Sequence, residues 1–200
     1  MGTVTHFKMN ILPKEIPIIL SHIIMSHLHR TFCNIMQFGG LMMAGVEAVS
    51  VSTRRRPGRL TLHWQLQLAA ALVAAVGFTV IYVNKERRGA AHFTSLHGQW
   101  GAVCLTATAA QLVGGLLALY AARVPNLVAP RVTKTLHALS GSVLAGLGLY
   151  TVRLGLDSVW FRNAAALWAR PAGDLLLGLS ALGLIYRVLV SRGYVKPKVN

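Results

Sequence analysis

The chain has 200 residues, enough for one domain or a small helical bundle, and 54% of them are apolar against only 12% charged. A water-facing domain carries about a quarter charged residues, and with a mean hydropathy of +0.54 this chain has too little polar surface to clothe one. The net charge of +15 does not point to nucleic acid, because the basic residues sit in short clusters between apolar runs rather than along one soluble face. Arg54, Arg55, Arg56 and Arg59 form one cluster, Lys85, Arg87 and Arg88 a second, and Lys196 and Lys198 a third. Such clusters belong to loops that meet lipid headgroups, so the partner they imply is a bilayer.

In chain order, residues 1–28 are an atypical N-terminal segment. It has no basic start, apolar centre and small-residue cleavage site in sequence, and is expected to be retained. Its apolar stretch, "IPIILSHIIMSHL", is short and interrupted by His22 and His27. A full span is predicted from about residue 31 to 52, with Glu47 as a costly guest whose partner the sequence does not name. Four further apolar segments, at about 61–83, 98–121, 135–156 and 172–190, each satisfy the roughly 20 residues that a membrane helix needs. Gly- and Ala-rich runs such as "LVGGLLALYAA" and "GSVLAGLGLY" suit close helix packing in lipid. The predicted fold is therefore all-α, a multi-pass transmembrane bundle with five clear spans and a sixth, N-terminal one absent or incomplete. The bundle occupies 29–192 and a tail 193–200.

The Trp-rich linker "LDSVWFRNAAALWARPAGD" reads as interfacial. Cys33 and Cys104 show neither metal spacing nor a disulfide framework and read as small buried hydrophobes. With alternating spans, the 53–60 loop, the 122–134 loop and the C-terminal tail share one face. It is richer in Lys and Arg than the face holding Lys85, Arg87, Arg88, Arg162 and Arg170, and so is expected to be cytosolic.

Histidines mark the helix mouths. His29, His63, His97 and His137 follow one another at intervals of about one membrane helix plus a short loop. Antiparallel neighbours then place His63 and His137 at one face, and His29 and His97 at the other. Two imidazoles facing each other across a gap are what a bis-histidine haem iron takes, with the second nitrogen of each ring held by a carbonyl or side chain. Gly98 and Gly101 beside His97, and Ser140 and Gly141 after His137, are expected to leave room for a flat ring. Two pairs would give two haem groups spaced along the bilayer normal. Other readings stand beside this one: incidental interfacial histidines on a haem-free scaffold, or a site that binds or transports a transition metal. Metal transporters normally add carboxylates near the midplane, and the spans after residue 60 contain none at that depth, Asp174 standing at the mouth of its span.

The segments "LHWQLQLAAALVAAVGFTVIY", "NKERRGAAHFTSLHGQWG" and "TLHALSG" resemble helix openings of the cytochrome b561 family, in its branch of transmembrane ascorbate-dependent reductases. The resemblance covers residue 60 to about 190. It implies a six-helix protein with two haem b groups, one on His63 and His137 at the cytosolic side and one on His97 and His29 at the other. In the family the histidine opening the second helix is followed by proline; here Arg30 follows His29, and His27 and His22 are rival candidates for that position. The resemblance further implies cytosolic ascorbate as electron donor, and monodehydroascorbate or ferric chelates as acceptors. It also implies an endomembrane or vesicle location, the endoplasmic reticulum included, with a cytosolic C-terminus. Oligomeric state is left open, a homodimer being one assembly allowed. Arg59 and the arginine run before it could attract anionic ascorbate, or serve only as a basic cytosolic loop. Lys85 and His92 could serve the acceptor side or be ordinary loop residues. Trp64 and Trp100 could pack on haem edges or be interfacial aromatics.

Overall fold

A computed structural model describes residues 35–50, 57–123, 129–191 and 194–195. All regular structure among them is helical. The elements are α1 (Ile35–Ser50), α2 (Pro57–Arg87) and α3 (Leu96–Tyr120), which runs on into a 3-10 turn (Ala121–Arg123), then α4 (Pro130–Leu156), the short α5 (Val159–Ala164) and α6 (Ala169–Ser191). Helices α2, α3, α4 and α6 are long and apolar enough to cross a membrane, and they contain the four predicted segments after residue 60 to within one residue at the end of α3. Helix α1 has 16 described residues, about 24 Å at 1.5 Å per residue, short of the roughly 30 Å hydrocarbon core. The remainder of the predicted 31–52 span, the segment 1–28 and the tail beyond residue 195 lie outside the described residues.

The helix ends follow local chemistry. Pro57 and Pro130 stand at the starts of α2 and α4, where a missing N–H costs nothing. After α2, Gly89 takes φ +59°. Its N–H donates to Glu86 O, and the Ala90 N–H donates to Lys85 O, the paired closure of a Schellman end. Ser95 opens α3: its Oγ accepts the Gly98 N–H at 3.2 Å, which is N-cap geometry. His97 therefore sits in the first turn of its helix. Just before it, Phe93 adopts φ +53°, uncommon for a bulky residue. It is held there by stacking on Phe78 and by the Gln99 side-chain amide, which donates to Phe93 O at 2.9 Å.

Packing is inverted relative to a water-soluble protein. Among the described residues, half of the enclosed apolar positions are alanines, Ala70, Ala121 and Ala145 among them, although Met42, Leu144 and Leu156 are enclosed too, whereas Leu136, Val143, Leu175, Leu179 and Leu182 point outward. Lipid solvates large apolar side chains as well as protein does, so close approach between helices falls to small residues. Met42 of α1, Ala70 of α2 and Ala145 of α4 form a core cluster, with Leu184 of α6 packed against it. Helix α1 lies chiefly on α2, α3 on α4, and α4 on α6. Helix α4 is the most enclosed span, with 28% of its apolar window buried against 6% for α6, so α4 organises the bundle.

Candidate functional site

His63 stands in the second turn of α2, and its Nδ1 lies 2.7 Å from the carbonyl oxygen of Gly45 on α1. A carbonyl can only accept, so Nδ1 carries the proton and Nε2 keeps its lone pair. One turn further along α2, the Gln67 amide donates to Met42 O at 3.1 Å. A methyl group at Gly45 would meet Gln67 Nε2 at 2.7 Å. The absent side chain at Gly45 is thus what lets α1 lie close enough to offer both carbonyls.

His137, in the second turn of α4, faces His63. The two ring centres are 6.4 Å apart with their planes at 88°. With metal–imidazole bonds of about 2 Å and a ring radius added on each side, two imidazoles ligating one iron from opposite faces have centres on the order of 6 Å apart. Gly115 of α3 lies against the His137 ring: a Cβ there would be 3.2 Å from His137 Cε1. Gln111 of α3 donates to the backbone carbonyl of His137 at 2.8 Å and fits into the gap left by Gly141. His137 also lines a groove of about 660 Å³ between α3 and α4, with Ala110, Gln111, Gly114, Leu136 and Ser140, within the roughly 300–1,000 Å³ typical of ligand sites. Its Nδ1 is buried without a hydrogen-bond partner among the described residues, a state that buried polar atoms seldom keep unless another group completes the site.

At the other end of α4, His97 Nδ1–H donates to Thr151 O at 2.9 Å, again leaving Nε2 free. Gly155, one turn beyond Thr151, comes so close that a Cβ would sit 3.1 Å from both His97 Cε1 and Nδ1. Cys104 is buried beside this contact, its Sγ 3.4 Å from Thr151 Oγ1. His29 falls outside the described residues. The glycines against the imidazoles are thus Gly115 and Gly155, on the facing helices. A methyl at Gly98 would meet Ser95 Oγ, one at Gly101 Thr151 Cγ2, and one at Gly141 Gln111.

The secondary positions separate in the same way. Arg59 lies four residues before His63 and so on the same helix face. Its Nη1 is buried with no hydrogen-bond partner among the described residues, which leaves a donor suited to a carboxylate or another anion. Lys85 and His92 are engaged by their own connection. Lys85 Nζ donates to Ala91 O at 2.9 Å, while the His92 ring stacks on Tyr82 and its Nε2 lies 2.9 Å from Glu86 Oε1. Trp100 meets Tyr150 of α4 edge-on, and Trp64 is half exposed. Glu47, whose partner the sequence alone does not name, is met by Arg187 of α6, whose Nε donates to Glu47 Oε1 at 2.8 Å and whose Nη2 pairs with Oε2.

These features suit a haem held by histidines: Nε2 lone pairs left available by carbonyl-anchored Nδ1 atoms, two rings at a metal-bridging distance, glycine clearances and an unpartnered guanidinium nitrogen on Arg59. Among the described residues, no three His, Cys, Asp or Glu side chains converge as a metal cluster, and His63 and His137 stand together as a pair.

No solved structure matches the chain. The human transmembrane reductase CYB561D2 is 35% identical over 160 residues, which cover 78% of this chain and 72% of that protein. The mouse CYB561D2 is 36% identical over 60% of this chain and 54% of its own. The human probable transmembrane reductase CYB561D1 is 38% identical over 72% of this chain and 61% of its own. The sequence model of the family described as eukaryotic cytochrome b561 matches residues 27–162, a stretch that contains all four of His29, His63, His97 and His137, and the chain belongs to that family.

Proposed function

We propose that the protein is a transmembrane oxidoreductase that takes electrons from cytosolic ascorbate and delivers them across the bilayer to monodehydroascorbate or ferric chelates. His63 and His137 would hold one haem b at the cytosolic side, and His97 with His29 a second at the opposite side. The observation that carries this reading is the state of the rings. Carbonyls of Gly45 and Thr151 accept from the Nδ1 atoms of His63 and His97, so both imidazoles present Nε2 as a ligand, and His137 stands 6.4 Å from His63, centre to centre. A bound haem b supplies a one-electron carrier in a bis-imidazole field. Gly115 and Gly155 allow the rings to seat, Gln111 and Gln67 tie the helices that carry them, and Arg59 offers an anion partner beside His63. The names of the relatives, transmembrane reductases, support the same activity class. Residues 29–192 would form the functional bundle, with the C-terminus cytosolic and the protein in an endomembrane or vesicle.

The test is a reduced-minus-oxidised spectrum of purified protein on addition of ascorbate. The expected result is a low-spin bis-histidine haem signal, of which His137→Ala removes one component and His97→Ala the other. A folded protein without a haem spectrum, or a His137→Ala variant retaining both components, would refute the reading.

A further inference from the structure

Charged side chains inside a membrane bundle are costly, and an apolar pair of similar volume often stabilises as well or better. The Glu47–Arg187 pair joins α1 to α6 in a fork, with both carboxylate oxygens facing guanidinium nitrogens. A fork of this kind fixes distance and orientation in a way that apolar contacts do not. Its place gives it a use. Glu47 is two residues past Gly45, whose carbonyl anchors the His63 ring, a rise of about 3 Å along α1. Arg187 is three residues past Leu184, which packs on the Met42–Ala70–Ala145 cluster. The pair therefore pins the end of α1 against α6 at the level where α1 presents its carbonyls to α2.

We propose that Glu47 and Arg187 are positioning residues for the His63 site. Their fork holds the Gly45 carbonyl in register with His63, and because its two charges cancel, the pair adds no net charge to the field at that haem. This rests on the proposal that His63 and His137 hold a haem. The consequence is electrostatic as well as steric. Glu47→Gln leaves the Arg187 cation, which favours the reduced state and raises the midpoint potential. Arg187→Gln leaves the Glu47 carboxylate and lowers it. One uncovered charge within about a helix diameter, at an effective dielectric near 20, shifts the reduction equilibrium about tenfold. For a one-electron couple that is about 59 mV.

The experiment is a redox titration of purified full-length protein, following the haem component that His137→Ala removes. The expected outcome is opposite shifts in the two single variants and a potential near wild type in the double variant Glu47→Gln/Arg187→Gln, which buries no charge. If a single variant loses that haem, the swapped chain Glu47→Arg/Arg187→Glu decides. Recovery of haem content and potential supports the pair, and a swapped chain that stays defective overturns it. Single variants with unshifted potentials, or with shifts of the same sign, overturn this inference alone. Wild-type protein without a haem signal overturns the underlying reading as well.

Discussion

Gly155→Ala tests whether α3 and α4 meet as closely as the His97 contact requires. The new methyl would lie 3.1 Å from His97 Cε1 and Nδ1 and 3.8 Å from Nε2, so the ring must retreat by a few tenths of an ångström. It has little freedom to do so, because Nδ1 is bonded at 2.9 Å to Thr151 O, one turn earlier on the same face of α4. Overpacking of this kind costs about 1–3 kcal/mol, partly offset by the gain of about 1 kcal/mol when alanine replaces glycine in a helix. A methyl at Gly146, on the same helix, would have nothing within 4 Å of it, so Gly146→Ala keeps the propensity gain without a steric cost. The two variants should differ by about 1–3 kcal/mol, several degrees of Tm at roughly 2–4 °C per kcal/mol for a chain of this size. Thermal unfolding in one detergent, with Gly155→Ala below wild type and Gly146→Ala at or above it, is the expected result. Equal melting temperatures would show that His97 does not rest on α4 in this way.

Thr151→Val should leave the His97 site spectroscopically unchanged, because the acceptor is the backbone carbonyl. It removes only the hydroxyl that bonds Leu147 O and approaches Cys104, at a cost of about 1 kcal/mol in denaturant unfolding. Gln111→Leu deletes the amide that holds α3 to the His137 carbonyl and should lower the unfolding midpoint by an equivalent of about 1 kcal/mol, with Ser140 losing its neighbour as well. Ser95→Ala removes the N-cap of α3 and should cost about 1 kcal/mol, seen as faster amide exchange in the first turn, where His97 sits.

The spans after residue 60 are legible in the sequence because hydropathy sums over some twenty residues and tolerates local noise. The histidines stand out for the opposite reason: each is an isolated ionisable group at the edge of such a run. What anchors them is much less visible. Gly45 and Thr151 act through backbone carbonyls, and every residue but its neighbours offers the same group. Gly115 and Gly155 are two glycines among many in apolar runs, and their role depends on which helix faces which. Gly98 and Gly101 stand beside His97 in the sequence itself, whereas the glycines that touch the imidazoles come from across the interface. Gln67 and Gln111 had a readable signal, amides inside otherwise apolar spans, which must find partners in lipid. Arg187 carried a similar signal, yet its match with Glu47 is a fact of packing between helices far apart in sequence.

Both candidate sites are built on α4. His137 lies near its start, and Thr151 and Gly155, which receive His97, lie near its end. From 137 to 151 the helix rises about 21 Å, most of the roughly 30 Å hydrocarbon thickness. The distance along the membrane normal between the two proposed haem sites is therefore set by one continuous helix rather than by loops. Its only proline is at the first helical position, where it does not kink the helix. Insertions in the 124–128 connection would alter how α3 reaches α4 but not the rise between residues 137 and 151. A residue inserted within α4 between them would do more: it would rotate Thr151 and Gly155 by about 100° and carry the His97 acceptor off the α3-facing side. The spacing of the two proposed sites thus depends on the register of α4.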